Sequence, residues 1–329
     1  MQENKAAWLR AKNAKLEVGP APYTLPGANE LVVRNHAVAI NPVDWMFPNL
    51  GSALFPWVKL PAVLGSDVAG EVVEIGASVT RFKIGDRVFG QALGTSKART
   101  GPAGSAFQLY TVLVEHMACP IPPAMSYESA CVLPLTVSTA ACGLFEKDEL
   151  ALNHPSASPT PSGKTLLVWG GSTSVGSNAI QLAVAAGYEV FTTASPHNFD
   201  YVRGLGASRA FDYNSPSVVP DLIAAFKGKT IAGAFSIGKG SAIPCFDVVH
   251  ASKGDKAVAT ASRPGNFAMS TEKGMTPSLM FKFATASMGQ AVKARMTGIR
   301  TKFVFGDSLA DNEVGRTNAI CRLPTQRLS

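Results

Sequence analysis

Apolar and polar positions follow two different rhythms along this chain. From Thr165 onward, short continuous apolar runs alternate with segments whose apolar residues recur every three or four positions. The run Thr165-Leu-Leu-Val-Trp169 predicts a buried strand, a Gly/Ser/Thr turn follows as far as Gly176, and 177–186 predicts a helix. The cadence continues with a strand over 188–193, a helix over about 198–205, a strand over 209–213 and a helix over 218–226. It goes on with a strand over 231–237, a helix near 242–251, a strand over 256–261 and a last strand within 301–306. Strands and helices in this order predict a doubly wound parallel sheet. Residues 1–130 read differently, with short apolar runs at 31–40, 70–75, 86–89 and 108–114 separated by Gly and Pro. That texture predicts a small β barrel or sandwich-like domain. The polar, Pro-rich stretch from His154 to Gly163 predicts a surface loop near the junction of the two domains. The expected class is therefore α/β, with domains over 1–130 and 131–306. The tail 307–329 has neither periodicity.

Composition narrows the setting. At 329 residues and 46% hydrophobic, the chain can bury two separate cores. The N-terminal residues mix charges without a signal-peptide core, and no apolar run is expected to span a membrane. The five cysteines, Cys119, Cys131, Cys142, Cys245 and Cys321, form no C-x-x-C pair and read as buried thiols of a reduced compartment. The expectation is a soluble, cytoplasmic protein. Its net charge of +7 is dispersed rather than gathered in a stripe, which argues against nucleic acid and suits a small anionic cofactor.

Candidate chemistry begins at the glycine turn. A strand that feeds a helix N-terminus presents backbone N–H groups and a helix dipole to a phosphate. Gly171 and Gly176 match the outer glycines of a dinucleotide fingerprint, but Thr173 stands where the middle glycine belongs. No Gly-Lys-Ser/Thr follows, so the turn is not a P-loop. At the end of the next strand, a carboxylate would accept bonds from a ribose 2′-hydroxyl and repel a 2′-phosphate. Here the chain reads Ser195-Pro196-His197-Asn198, with no carboxylate before Asp200. These groups suit the 2′-phosphate of NADPH rather than NADH, although Ser195 and Asn198 equally suit helix caps. His36, His116, Cys119 and Asp44 lack metal-site spacing, and no metal is expected.

The stretches Ile40-Asn-Pro-Val-Asp44, Leu64-Gly-Ser-Asp-Val-Ala-Gly70, Leu133-Pro-Leu-Thr-Val-Ser-Thr-Ala140, Gly170-Gly-Ser-Thr173, Ser195-Pro-His-Asn-Phe-Asp200 and Phe211-Asp-Tyr213 together resemble the medium-chain dehydrogenase/reductase superfamily. Zinc-dependent members carry His-Glu where this chain has Ser66-Asp67, and a four-cysteine lobe that 91–107 lacks. The resemblance is therefore to the zinc-independent, quinone-reductase-like branch, and especially to fungal trans-acting enoyl reductases of polyketide biosynthesis. It implies an N-terminal GroES-like β-barrel domain, a Rossmann domain and NADPH. Carried over by position, Gly171, Ser172, Thr173, Ser174 and Val175 would hold the pyrophosphate, and Ser195, Pro196, His197 and Asn198 the 2′-phosphate. Tyr213 would pack near the adenosine, and Ile237 and Gly238 would lie along the cofactor. Val43, Asp44 and Met46, with Thr136 and Thr139, would line the nicotinamide end.

Two departures accompany the resemblance. Relatives often have lysine at the position of Met46, and a thioether cannot anchor a phosphate by charge. The family also returns to its first domain after the Rossmann domain, so the end of this chain reads as truncated, leaving apolar surface of the first domain uncovered. The expected activity is hydride transfer from NADPH to an activated C=C, in an enoyl thioester or enone, or to a quinone. Asp44 and Thr136 are the candidate catalytic residues, with Tyr110 or solvent as other proton sources. The rival readings are a cofactor-binding protein with little turnover and a carbonyl or alcohol oxidoreductase. The implied substrate is a small molecule or one bound to a carrier protein, with a polyketide synthase as partner and a monomer or homodimer as the assembly.

Overall fold

The computed structural model describes residues 2–262, 265 and 276–311. They fall into two units, one built on 2–135 and the other on 136–262 and 277–311. In the first, β1 (Asn4–Leu9) pairs antiparallel with β2 (Leu16–Ala21) and with β4 (Ala62–Val63). A second antiparallel sheet, in the order β7-β3-β5-β6-β8, contains β3 (Glu30–Ala39), β5 (Asp67–Ile75), β6 (Arg87–Gln91), β7 (Tyr110–Val114) and β8 (Ala118–Pro120). Alternate residues of its strands point inward, so Leu31 and Val33 meet Val68, Val72, Val88 and Leu113 in one core. Three helices complete this part of the chain: α1 (Pro42–Leu54), α2 (Tyr127–Ala130) and α3 (Pro134–Phe145), the last running on into the second unit.

The second unit is a six-stranded, wholly parallel sheet in the order β11-β10-β9-β12-β13-β14. Its elements are β9 (Lys164–Trp169), α4 (Ser174–Ala185), β10 (Glu189–Ala194), α5 (Phe199–Gly204), β11 (Arg209–Asp212), α6 (Val218–Ala225), β12 (Thr230–Ser236), α7 (Ala242–Ala251), β13 (Ala257–Thr260), α8 (Pro277–Met296) and β14 (Arg300–Phe303). The inner strands β9, β10, β12 and β13 are near-continuous buried runs, as parallel strands covered on both faces are, whereas the edge strands β11 and β14 are more exposed. Leu167, Phe191, Ile231, Leu222, Phe226 and Phe246 form a shared core. The strand order reverses between β9 and β12, and ligands of such sheets bind beyond the carboxyl ends of the strands at that point.

Ion pairs latch the opposite, amino end of the sheet. Lys164 meets Asp255 at 2.8 Å and Lys229 meets Glu189 at 2.6 Å, while Thr165 also donates to Glu189.

Several expectations are corrected. The helix after the glycine turn begins at Ser174 rather than 177, because Thr173 caps it. One stretch, Tyr127–Phe145, is long and apolar enough by composition to cross a membrane, contrary to the reading of the sequence, but 67% of it is buried inside the fold. Cys131, Cys142 and Cys245 are buried free thiols, whereas Cys119 is in a disulfide. Most of the tail expected at 307–329 lies outside the described residues, and 306–310 forms a single 3-10 turn.

Candidate functional site

The glycine turn is closed by its own backbone. Gly170 adopts a φ of +93°, which turns the chain sharply out of β9. Thr173 Oγ1 donates to the Gly170 carbonyl at 2.7 Å and accepts from the Gly176 N–H at 3.1 Å. The residue that departs from the fingerprint is thus the N-cap of α4. Replacing it with alanine should cost about 1 kcal/mol of stability, the usual value of a lost cap, measurable by urea unfolding. An unchanged midpoint would show that the cap contributes nothing.

Bare backbone is what a pyrophosphate requires at this turn, and the packing shows why glycine stands there. A Cβ on Gly171 would lie 2.1 Å from Thr192 Oγ1, and one on Gly176 would lie 2.2 Å from the Gly170 carbonyl oxygen. The first amides of α4 point out of the helix start, as orphan N-terminal amides do. Beyond the end of β12, Ile237 donates its N–H to the Trp169 carbonyl at 3.1 Å. Next to it, a Cβ on Gly238 would meet nothing nearer than Trp169 Cδ1 at 3.7 Å. Three buried hydroxyls fix the segment that follows: Ser241 Oγ lies 2.6 Å from Ser236 Oγ and 3.4 Å from Ser262 Oγ. This serine cluster was not read from the sequence, because Ser262 lies 26 residues from Ser236 and reaches it through the pairing of β12 with β13.

At the end of β10, Ser195 to Asn198 form a 3-10 turn before α5. Neither Ser195 nor Asn198 makes a side-chain cap bond, although both stand at N-cap positions. Instead Ser195 Oγ lies 3.0 Å from the hydroxyl of Tyr213, which extends 44% exposed just after β11. Asp200, the first carboxylate beyond, points into solvent beside Arg203. The rim at Ser195–Asn198 is therefore rich in hydrogen-bonding groups and free of carboxylates.

Thr136 joins this unit through α3. Its Oγ1 accepts from Asn178 Nδ2 at 3.1 Å, one turn into α4, while Thr139 lies a turn further along α3 and is half-buried. Val43, Asp44 and Met46 sit in the first turn of α1, in the other unit. Both oxygens of Asp44 are engaged: Oδ2 accepts the Asn41 N–H at 2.8 Å and Oδ1 accepts the Gly65 N–H at 3.2 Å. Burial pushes Asp44 up to about 6 and its neighbour Asp67 up to about 7, against the N–H donors that lower them. Both carboxyls hold a proton more tightly folded than unfolded, so they weaken the fold as pH rises from roughly 4 to 7. Tyr110 is engaged elsewhere, accepting from Gln2 at 2.7 Å and packing edge-on against Tyr23. Among the described residues, no three His, Cys, Asp or Glu side chains converge. His36 stacks on Tyr127.

The carboxyl ends of the parallel strands, the capped turn and the antiparallel β unit define a class of two-domain dinucleotide-dependent oxidoreductases. Residues 27–123 match the alcohol dehydrogenase GroES-like domain. The dehydrogenase pigH of Monascus ruber is 50% identical over 326 residues, covering 98% of this chain and 88% of its own. The trans-enoyl reductase himH of Aspergillus japonicus is 44% identical over 222 residues, 67% of this chain and 62% of its own. Among solved structures, the quinone oxidoreductase of Pseudomonas syringae pv. Tomato DC3000 superposes with a TM-score of 0.64 at 24% identity, over 97% of this chain and 86% of that one. The chain belongs to the medium-chain dehydrogenase/reductase family. It is accordingly an oxidoreductase whose fold takes a nicotinamide cofactor.

Proposed function

We propose that this protein is an NADPH-dependent, zinc-independent reductase of an activated C=C, in an enoyl thioester or enone, or of a quinone. The observation that carries the choice of cofactor is the rim at Ser195–Asn198, where polar side chains that could cap a helix leave that role unfilled. NADPH, when bound, would supply the hydride. The chain's own part is to hold and orient. The amides of 172–175 would receive the pyrophosphate, Ser195, His197 and Asn198 the 2′-phosphate, and Tyr213 the adenosine side. Ile237 and Gly238 would run along the cofactor, with ordinary van der Waals room at Gly238 beside Trp169. Thr136 and Thr139, with Val43, Asp44 and Met46, would border the reacting end, where hydroxyl donors stabilise the charge that develops on the acceptor oxygen. The fungal relative named a trans-enoyl reductase supports an enoyl acceptor; we take that acceptor to be a thioester on a small molecule or on the carrier protein of a polyketide synthase.

Consumption of NADPH with an enone, a quinone and an enoyl thioester, beside fluorescence titration of NADPH, tests the reading. Turnover of at least one acceptor is expected, and binding without turnover of any would overturn it. The cofactor preference has a sharper test. Ser195→Asp should weaken NADPH about 100-fold by like-charge repulsion while leaving NADH within about threefold. Equal losses for both cofactors would remove the 2′-phosphate from this rim.

A further inference from the structure

Asp67 follows Ser66 at the start of β5. In the structure it is 1% exposed and bound from two directions. Its Oδ1 accepts the Leu135 N–H at 2.7 Å, in the first turn of α3, and its Oδ2 accepts Asn41 Nδ2 at 2.9 Å, at the cap of α1. Asn41 is shared, because its backbone N–H serves Asp44. One carboxyl at the start of β5 thus holds the N-terminal ends of the two helices that carry Val43 to Met46 and Thr136 to Thr139. We infer that Asp67 is a positioning residue, fixing the first turns of α1 and α3 for hydride transfer through its bonds to Asn41 and Leu135. This rests on the reductase reading above.

Burial and the neighbouring Asp44 favour a neutral carboxyl, against the Asn41 and Leu135 N–H donors. Asp44 faces it from α1, and on the opposite strand Gln91 of β6 stands directly in register with it. The Gln91 side-chain oxygen is buried and has no hydrogen-bond partner. Cys131, after α2, is the remaining titratable neighbour, and burial together with Asp67 raises its thiol. Burial places the titration of Asp67 near neutrality, up to about 7. Loss of that proton leaves a charge in an apolar setting and favours local opening of both helix ends.

Hydrogen–deuterium exchange of the full chain, corrected for intrinsic rates, tests this without any variant. Peptides covering 41–47 and 134–140 should open together, about tenfold more often at pH 7 than at pH 5, while 177–186 in α4 stays level. In Asp67→Asn, which keeps an acceptor and cannot ionise, that dependence should flatten. Asp67→Leu, which keeps no acceptor, should lower kcat about tenfold with the Kd for NADPH within twofold, and Asp67→Asn should recover kcat to within threefold. A pH-independent opening in the natural chain, or an Asp67→Leu variant with normal exchange and kcat, overturns the inference. Absence of turnover in the natural chain would overturn the reductase reading instead, and the exchange data would still decide whether Asp67 fixes the two helix ends.

Discussion

Gly176→Ala should raise the Kd for NADPH at least about 100-fold and lower the thermal midpoint by several degrees. The added methyl carbon would lie 2.2 Å from the Gly170 carbonyl oxygen and 2.9 Å from both Gly170 C and Gly171 Cα. All three neighbours are backbone, so no side chain can rotate away. The N-terminus of α4 must retreat from the turn, which costs about 1–3 kcal/mol and moves the amides that would meet the pyrophosphate. Fluorescence titration and a thermal melt measure the two effects together. A variant that binds NADPH within twofold of the natural chain would show that the nucleotide does not rest on this turn.

The second large effect concerns stability alone. Phe235→Ala should cost about 3–5 kcal/mol, the usual range for emptying a buried aromatic site. Phe235 is fully buried in β12, and Gly143 in α3 packs against its ring: a Cβ there would lie 2.6 Å from Cζ. Glycine offers no side chain to collapse into the space, so the cavity would persist. Urea unfolding should show the loss as a lower midpoint with little change in slope. A cost below about 1 kcal/mol would mean that α3 closes over the gap by moving as a body.

The doubly wound half was legible because its inner strands are short apolar runs with turns at their ends, and the helix at 242–251 matches α7 in full. Helices α1, α2, α3 and α8 were not. α1 carries Pro48 and Gly51 in its interior, residues that break a helical pattern when read locally; its start is fixed by Pro42 and the Asn41 cap. α8 has apolar side chains around its circumference. Ala294 faces the core while Phe281, Met288, Val292 and Met296 stand exposed, so no single stripe announces the helix. At the site, the outer glycines and the Ser195–Asn198 segment were readable as local motifs. Thr173 looked like damage to a fingerprint because capping is visible only once the helix start is known. Asp67 and the serine cluster depend on contacts between distant strands and helices, which no local spacing encodes.

The ion pairs Lys164–Asp255 and Lys229–Glu189 gather at the amino edge of the parallel sheet, whereas the turns at Gly170–Thr173 and Ser195–Asn198 leave its carboxyl edge. Formal charges thus tie the amino rim together, while these two turns offer hydroxyls and amides. Such exposed pairs contribute about 0–1 kcal/mol each and fade with salt. The anchored rim is consequently the place where surface charge can be redesigned, for crystallisation, immobilisation or tolerance of high ionic strength, away from the turns proposed to meet the cofactor.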